Sequence, residues 1–295
     1  MMLKMDTTRR QFLSGLAAAA LHAAEPVIDI HQHTNYSGRS DEALLAHQQT
    51  MGITKTVLLP AGSRFGLEAQ AHGNDSVLQL ARLHPGKFLF FANEVTWLPE
   101  APAVIEKYLK LGAIGIGEQK FFVDSSASTL DAICGLARDY RVPVLLHFQH
   151  ERYNVNFDGF HKLLERFPQV NFIGHAQTWW GNIDRNHRQE VMYPNTKVTP
   201  GGITDRYLRD YGNMFGDLSA GSGLNALLRD EDHARGFLER HQNKLLYGSD
   251  CNDSLGAGDK CSGSKQIAAV RRLASADVAR KILYANAARL LRLTL

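Results

Sequence analysis

From Pro26 onward the chain alternates short runs of β-branched and other apolar residues with longer stretches whose apolar positions recur every three or four residues. The short runs predict strands over 27–33, 55–59, 87–93, 113–120, 143–148, 171–176, 214–219 and 245–250. The longer ones predict helices over 41–51, 75–83, 103–111, 130–140, 159–167, 226–242 and 277–293, and Leu111-Gly112 and Pro85-Gly86 stop two of them just before a strand. Strand and helix therefore alternate about eight times at intervals of roughly 30 residues. That pattern predicts an α/β protein, a (β/α)8 TIM barrel in a single domain. A doubly wound nucleotide-binding sheet would need a glycine fingerprint after its first strand, where this chain has His31-Gln32-His33.

The ends of these runs carry the chemistry. His31 and His33 lie two apart on a strand, so they share a face and can converge on one metal ion. Four later runs also end in metal-competent side chains: Ile114-Gly-Ile-Gly-Glu118, Val144-Leu-Leu-His147, Phe172-Ile-Gly-His175 and Leu246-Tyr-Gly-Ser-Asp250. Parallel barrel strands are buried on both faces, and a polar group at a strand end is costly unless something satisfies it. In this fold those ends meet at the active site. Four histidines and two carboxylates from five strands read as one metal site.

In that order, His-x-His on strand 1, Glu on strand 4, His on strands 5 and 6 and Asp on strand 8, the chain resembles the amidohydrolase superfamily of metal-dependent hydrolases. The ending Lys281-Ile-Leu-Tyr-Ala-Asn286-Ala-Ala-Arg289-Leu-Leu resembles the closing helix of its amidohydrolase family 2 branch. The resemblance implies that His31, His33 and His147 or His175 bind a divalent metal, Zn²⁺ first among the candidates, as one or two ions. It implies that Asp250 takes a proton from a metal-activated water that attacks a lactone, ester or amide carbonyl. His175 is then either a ligand or the group that polarises the carbonyl. Relatives place a carboxylated lysine or a glutamate on strand 4; Glu118 and Lys120 share a face, so either could reach inward, and Glu118 is favoured. The branch also contains decarboxylases of aromatic or unsaturated carboxylic acids, which is the second reading. A metal- or ligand-binding protein without turnover is the third.

Composition narrows the picture further. With 295 residues, 44% hydrophobic, the chain can bury one large core. A net charge of +3 points to neither nucleic acid nor an anionic membrane surface. Residues 1–24 resemble a twin-arginine signal, with Arg9-Arg10 in Thr7-Thr8-Arg9-Arg10-Gln11-Phe12-Leu13 and an alanine run from Ala17, too short to span a bilayer. They predict export to the periplasm by the twin-arginine machinery, with the barrel over 25–295. Cys251 and Cys261 could form a disulfide across a Gly- and Ser-rich loop in an oxidising compartment, or remain thiols, while Cys134 reads as a small core residue. Cys251 adjoins Asp250 and should point to the opposite face. In the loop after strand 6, Trp179, Trp180 and Arg185 are candidate contacts for a ring and a carboxylate of a small-molecule substrate. The helix faces are compatible with a monomer or a homo-oligomer.

Overall fold

The computed structural model describes residues 25–62 and 70–293; the export signal expected over 1–24 lies outside them. The eight strands are β1 (Ile28–Gln32), β2 (Lys55–Leu58), β3 (Phe88–Phe90), β4 (Ile116–Gln119), β5 (Val144–His147), β6 (Phe172–His175), β7 (Met214–Asp217) and β8 (Leu245–Leu246). Each lies inside a predicted run. They pair in parallel and in chain order, as β1 to β3 and as β4 to β8. Two seams join these sheets. Ala92 N–H donates to the Gly115 carbonyl and Gly117 N–H to the Ala92 carbonyl, both at 2.9 Å, while Ile30 N–H reaches the Tyr247 carbonyl at 3.1 Å and Asp250 N–H the His31 carbonyl at 2.9 Å. The ring is a closed (β/α)8 barrel.

The barrel has an inner and an outer core. Ile28, Ile30, Val57, Leu59, Phe91, Leu145, Ile173, Phe215 and Leu246 pack together inside it. Burying a side chain such as Leu145 or Ile173 stabilises the fold by about 1.5–3 kcal/mol. Outside, Val27, Leu58, Ile116, Val144, Leu146, Phe172 and Met214 face the helices. These begin with α1 (Asp41–Thr50), α2 (Asn74–Leu83), α3 (Ala101–Lys110), α4 (Asp131–Tyr140) and α5 (His161–Arg166). Ser40 caps α1 by accepting the Ala43 N–H, and Asp41 and Glu42 complement its dipole. Cys134 is buried on α4, as a core residue should be.

Several helices depart from the sequence reading. The stretch 226–242 forms two helices, α8 (Ala220–Leu228) and α9 (Glu231–Arg240), because the Asp230 carboxylate caps α9 through the His233 N–H and starts a new helix. Three more were not anticipated: α6 (Gln177–Gly181), α7 (Ile203–Asp210) and α10 (Ser262–Leu273). The first is a single turn; the second and third bury Tyr207 and Leu208, and Ile267, Val270 and Leu273, on one face, a spacing that the sequence reading passed over behind polar starts. The closing segment runs as α11 (Ala276–Arg280), a π turn over Lys281–Ala285 and α12 (Asn286–Leu290). Tyr284, Ala287, Ala288 and Leu290 lie against the inner core and plug the N-terminal mouth of the barrel, which leaves the C-terminal mouth for chemistry.

Two strand irregularities set up that mouth. The register of β1 on β2 shifts between Asp29 and Gln32, so Ile30 of the inner core is followed directly by His31 at the barrel centre. The register of β4 on β5 shifts between Ile116 and Gln119, and Glu118 turns inward although Ile116 faces the helices. Gly117 permits this turn: its φ is 134°, and a Cβ there would sit 2.6 Å from the Leu145 carbonyl oxygen.

Candidate metal centre

His31, His33, Glu118, His147, His175 and Asp250, contributed by β1, β4, β5, β6 and the turn after β8, converge at the C-terminal mouth. The two oxygens of Glu118 divide the cluster. Its Oε2 faces His31 Nε2 at 3.7 Å and His33 Nε2 at 3.6 Å, while its Oε1 faces His147 Nδ1 at 2.5 Å and His175 Nε2 at 3.7 Å. Asp250 reaches across, with Oδ1 at 3.5 Å from His33 Nε2 and Oδ2 at 3.5 Å from His175 Nε2. Lys120 is not part of the cluster: its ammonium lies over the Tyr153 ring, 5.4 Å from the centroid.

The donor set fits a divalent cation on three counts. First, each of three rings has its other nitrogen anchored: His31 Nδ1 to Asp217 Oδ2 at 2.7 Å, His33 Nδ1 to the Leu59 carbonyl at 2.7 Å and His175 Nδ1 to Ser219 Oγ at 2.9 Å. A carbonyl or carboxylate acceptor fixes the tautomer that presents Nε2 as a lone pair. Second, Asp250 Oδ1 is buried without a hydrogen-bond partner among the described residues, although its carboxylate is ringed by histidine nitrogens. A buried carboxylate oxygen left so is costly unless something else satisfies it. Third, bonds of about 2.1 Å to one ion would separate neighbouring ligand atoms by about 3.0–3.4 Å, close to the 3.2 Å between His31 Nε2 and His33 Nε2. Three overlapping triads, His31/His33/Glu118, His31/His175/Asp250 and Glu118/His147/His175, bring their ligand atoms within 4.8 Å of one another.

The electrostatics follow from burying charge in pairs. Burial opposes a proton on His31, yet the Asp250 and Asp217 carboxylates outweigh it and hold the imidazole well above its ordinary pKa. Burial likewise opposes ionisation of Glu118 and Asp250, but His147 and His31 keep Glu118 well below the usual carboxylate range, and His31, His175 and His33 do the same for Asp250. For His147 burial wins, pulling its pKa down to about 4 despite Glu118, so the ring is neutral and free to donate electrons. A cation at the centre would displace the proton from His31 and take over its role as counter-charge.

Sequence reasoning missed three residues here. Asp217 is fully buried and holds His31, and its Oδ2 also accepts from Ser219 Oγ at 2.8 Å. It ends the run Met214-Phe-Gly-Asp217 just as the candidate ligands end theirs, so the same signal was present. Ser219, two residues on, anchors His175. Tyr36 packs edge-on to His33, and burial together with Asp250 raises its phenol well above the ordinary value, so it stays a proton donor. Nothing in the strand-end pattern pointed to Tyr36.

The expected substrate contacts in the loop after β6 are corrected by the structure. Trp179 and Trp180 are 0% and 2% exposed. Trp179 fills the space that Gly174 leaves open on β6 and stacks on Phe148, and Trp180 Nε1 donates to the Asp217 carbonyl at 2.8 Å. Arg185 is exposed on the surface. The two rings are core, and the local helix α6 carries them there. Trp179→Phe should therefore lower unfolding stability by about 1–3 kcal/mol in urea titrations and leave KM within twofold of wild type. A large KM change at unaltered stability would restore Trp179 to the substrate site.

Comparison with known proteins identifies the family and the fold. Residues 28–293 match the Amidohydro_2 family, described as amidohydrolase. No curated protein sequence matches the chain. Among solved structures it is similar to an uncharacterized TIM-barrel protein from Bordetella bronchiseptica, with 15% identity over 90% of this chain and 98% of that one and a TM-score of 0.66. It is also similar to a putative 2-pyrone-4,6-dicarboxylic acid hydrolase from Pseudomonas putida, with 16% identity, 90% and 97% coverage and a TM-score of 0.59. A 2,6-dihydroxybenzoate decarboxylase from Rhizobium shows 15% identity, 91% and 99% coverage and a TM-score of 0.55. The match across nearly the whole barrel, to a family whose name fits the clustered histidines and carboxylates, places the chain in the Amidohydro_2 amidohydrolase family.

Proposed function

We propose that this protein is a metal-dependent hydrolase that opens a carbonyl-type bond, most readily a cyclic lactone bearing a carboxylate, in a small molecule. The observation that carries the reading is the unpartnered, buried Asp250 Oδ1 beside anchored histidine nitrogens. His31, His33 and Asp250 would hold one divalent ion, Zn²⁺ first, and His147 and His175 a second, with Glu118 between them. The bound metal supplies Lewis acidity, lowering the pKa of water and polarising a carbonyl oxygen. Asp250, held ionised, accepts the proton from the attacking water and returns it to the leaving oxygen. Tyr36 stays protonated beside Asp250, through burial and the carboxylate's charge. Asp217 and Ser219 keep His31 and His175 from rotating. A cleft of about 300 Å³ lined by His150, Asn154 and Thr178 shares Gln149 with His147, and its size suits a small substrate.

The named hydrolase and decarboxylase of similar fold supply the substrates to try first, 2-pyrone dicarboxylates and dihydroxybenzoates. Incorporation of ¹⁸O from labelled water into an acyclic product is expected, whereas release of carbon dioxide with no net addition of water would establish a lyase instead. Metal content is the companion measurement. The histidine and carboxylate cluster should hold two equivalents in protein purified without chelator, and one or none in Glu118→Gln. Equal metal content in the two proteins would remove Glu118 from the ligands, and no metal in either would refute the metal centre.

A further inference from the structure

We propose that His47, Cys251 and Cys261 form a second, separate metal site for a thiophilic d¹⁰ cation such as Zn²⁺, which ties the turn after β8 to α1 and α10. His47 comes from a distant part of the chain, and the two cysteines flank one loop. His47 and Met51 lie one turn apart on the C-terminal end of α1, Cys251 directly follows Asp250, and Cys261 is the N-cap of α10. All three donors are buried, and their ligand atoms lie within 4.8 Å of one another. Cys251 Sγ stands 3.8 Å from Cys261 Sγ, which stands 3.6 Å from His47 Nε2 and 3.5 Å from Met51 Sδ.

These spacings discriminate between the uses of a cysteine pair. A disulfide holds its sulfurs about 2.05 Å apart, so the two are thiols, not a bridge. A tetrahedral ion with bonds of about 2.3 Å to sulfur and 2.0–2.1 Å to nitrogen separates two sulfurs by about 3.8 Å and sulfur from nitrogen by about 3.6 Å. Both observed separations coincide with those edges. Two of the three donors are soft thiols, where those of the active-site cluster are all imidazole and carboxylate, so the two sites would select different ions or hold the same ion with different spectra. Binding a divalent ion displaces the two thiol protons to solvent, and no oxidation is involved.

The site has a mechanical consequence for the active site. The Cys251 carbonyl already accepts from Arg39 Nη1 at 2.8 Å and Gln32 Nε2 at 3.0 Å. A metal on its sulfur would fix the same residue from the opposite side. Asp250, whose φ of 39° puts it in a sparsely populated region, would thereby be clamped by its neighbour.

Cobalt distinguishes the two sites, because only thiolate ligands give intense sulfur-to-cobalt charge-transfer absorption in the near ultraviolet. Reduced, metal-stripped full-length protein titrated with Co²⁺ should develop this band and level off at the intensity of one thiolate-bound ion per chain, whichever site fills first. The band should vanish in Cys261→Ser and persist in Asp250→Asn. Serine is a good N-cap, so Cys261→Ser should keep its fold, as circular dichroism would verify. Cobalt binding by wild type with no thiolate band, or a band that survives in Cys261→Ser, would overturn the site. So would freshly purified protein in which Cys251 and Cys261 are covalently joined, seen as a loss of two hydrogens by mass.

Discussion

Asp250→Asn should lower kcat/KM by about three orders of magnitude while most of the metal stays bound, the middle of the range for a lost general base. The substitution isolates the proton. Asparagine has nearly the shape of aspartate, and it tolerates the left-handed backbone that Asp250 adopts at φ 39°, where alanine would add strain. What it lacks is the negative charge that His31, His175 and His33 stabilise against burial, and with it the site that accepts a proton. Rate on the substrate identified by the ¹⁸O experiment and metal content by mass spectrometry decide together. Loss of metal in step with rate would make Asp250 a ligand alone. A rate within tenfold of wild type would remove it from the chemistry, and no turnover by wild type on any lactone, ester, amide or carboxylic acid tried would favour a binding protein.

The barrel was legible because each strand is a continuous apolar run, as strands buried on both faces must be. The six clustering residues were legible for a related reason: each is a polar side chain ending such a run, where burial forces it to have a partner or a use. The same rule applied to Met214-Phe-Gly-Asp217 would have found Asp217, which ends its run as Glu118 and Asp250 end theirs. Face assignments were less legible. Strict alternation puts Ile30 and His31 on opposite sides of β1, and nothing local announces the register shift that brings both inward. The tryptophans were misread because aromatic residues beside arginines in a loop suggest recognition. Their true partners are the gaps at Gly174 and Gly216, each one residue before a strand-end polar group, and such a vacancy is visible only when β6 and β7 lie side by side. Lys120 shows the limit of spacing alone: sharing a face with Glu118 in the pleat did not bring it into the centre once β4 shifted register.

Asp217→Leu is expected to weaken metal binding by about 10–100-fold in chelator competition, although Asp217 need not touch the metal. Its Oδ2 accepts from His31 Nδ1 at 2.7 Å and lies 3.3 Å from His175 Nδ1, and its Oδ1 accepts the Ser219 N–H at 3.0 Å. One carboxylate thus orients two of the rings and the serine that steadies the second. Leucine keeps comparable volume but offers no acceptor, so His31 loses the bond that fixes its tautomer and raises the basicity of Nε2. Asp217→Asn separates orientation from charge, because its amide oxygen can still accept from Nδ1 while the negative charge is gone. It should fall between wild type and Asp217→Leu in affinity, and kcat measured at saturating metal should recover toward wild type. The same split would not arise from a defect in folding, which added metal could mask only by restoring thermal stability in parallel. Equal metal affinity in wild type and Asp217→Leu would mean that the strand walls alone hold His31 in place, and the anchoring role assigned to the end of β7 would be wrong.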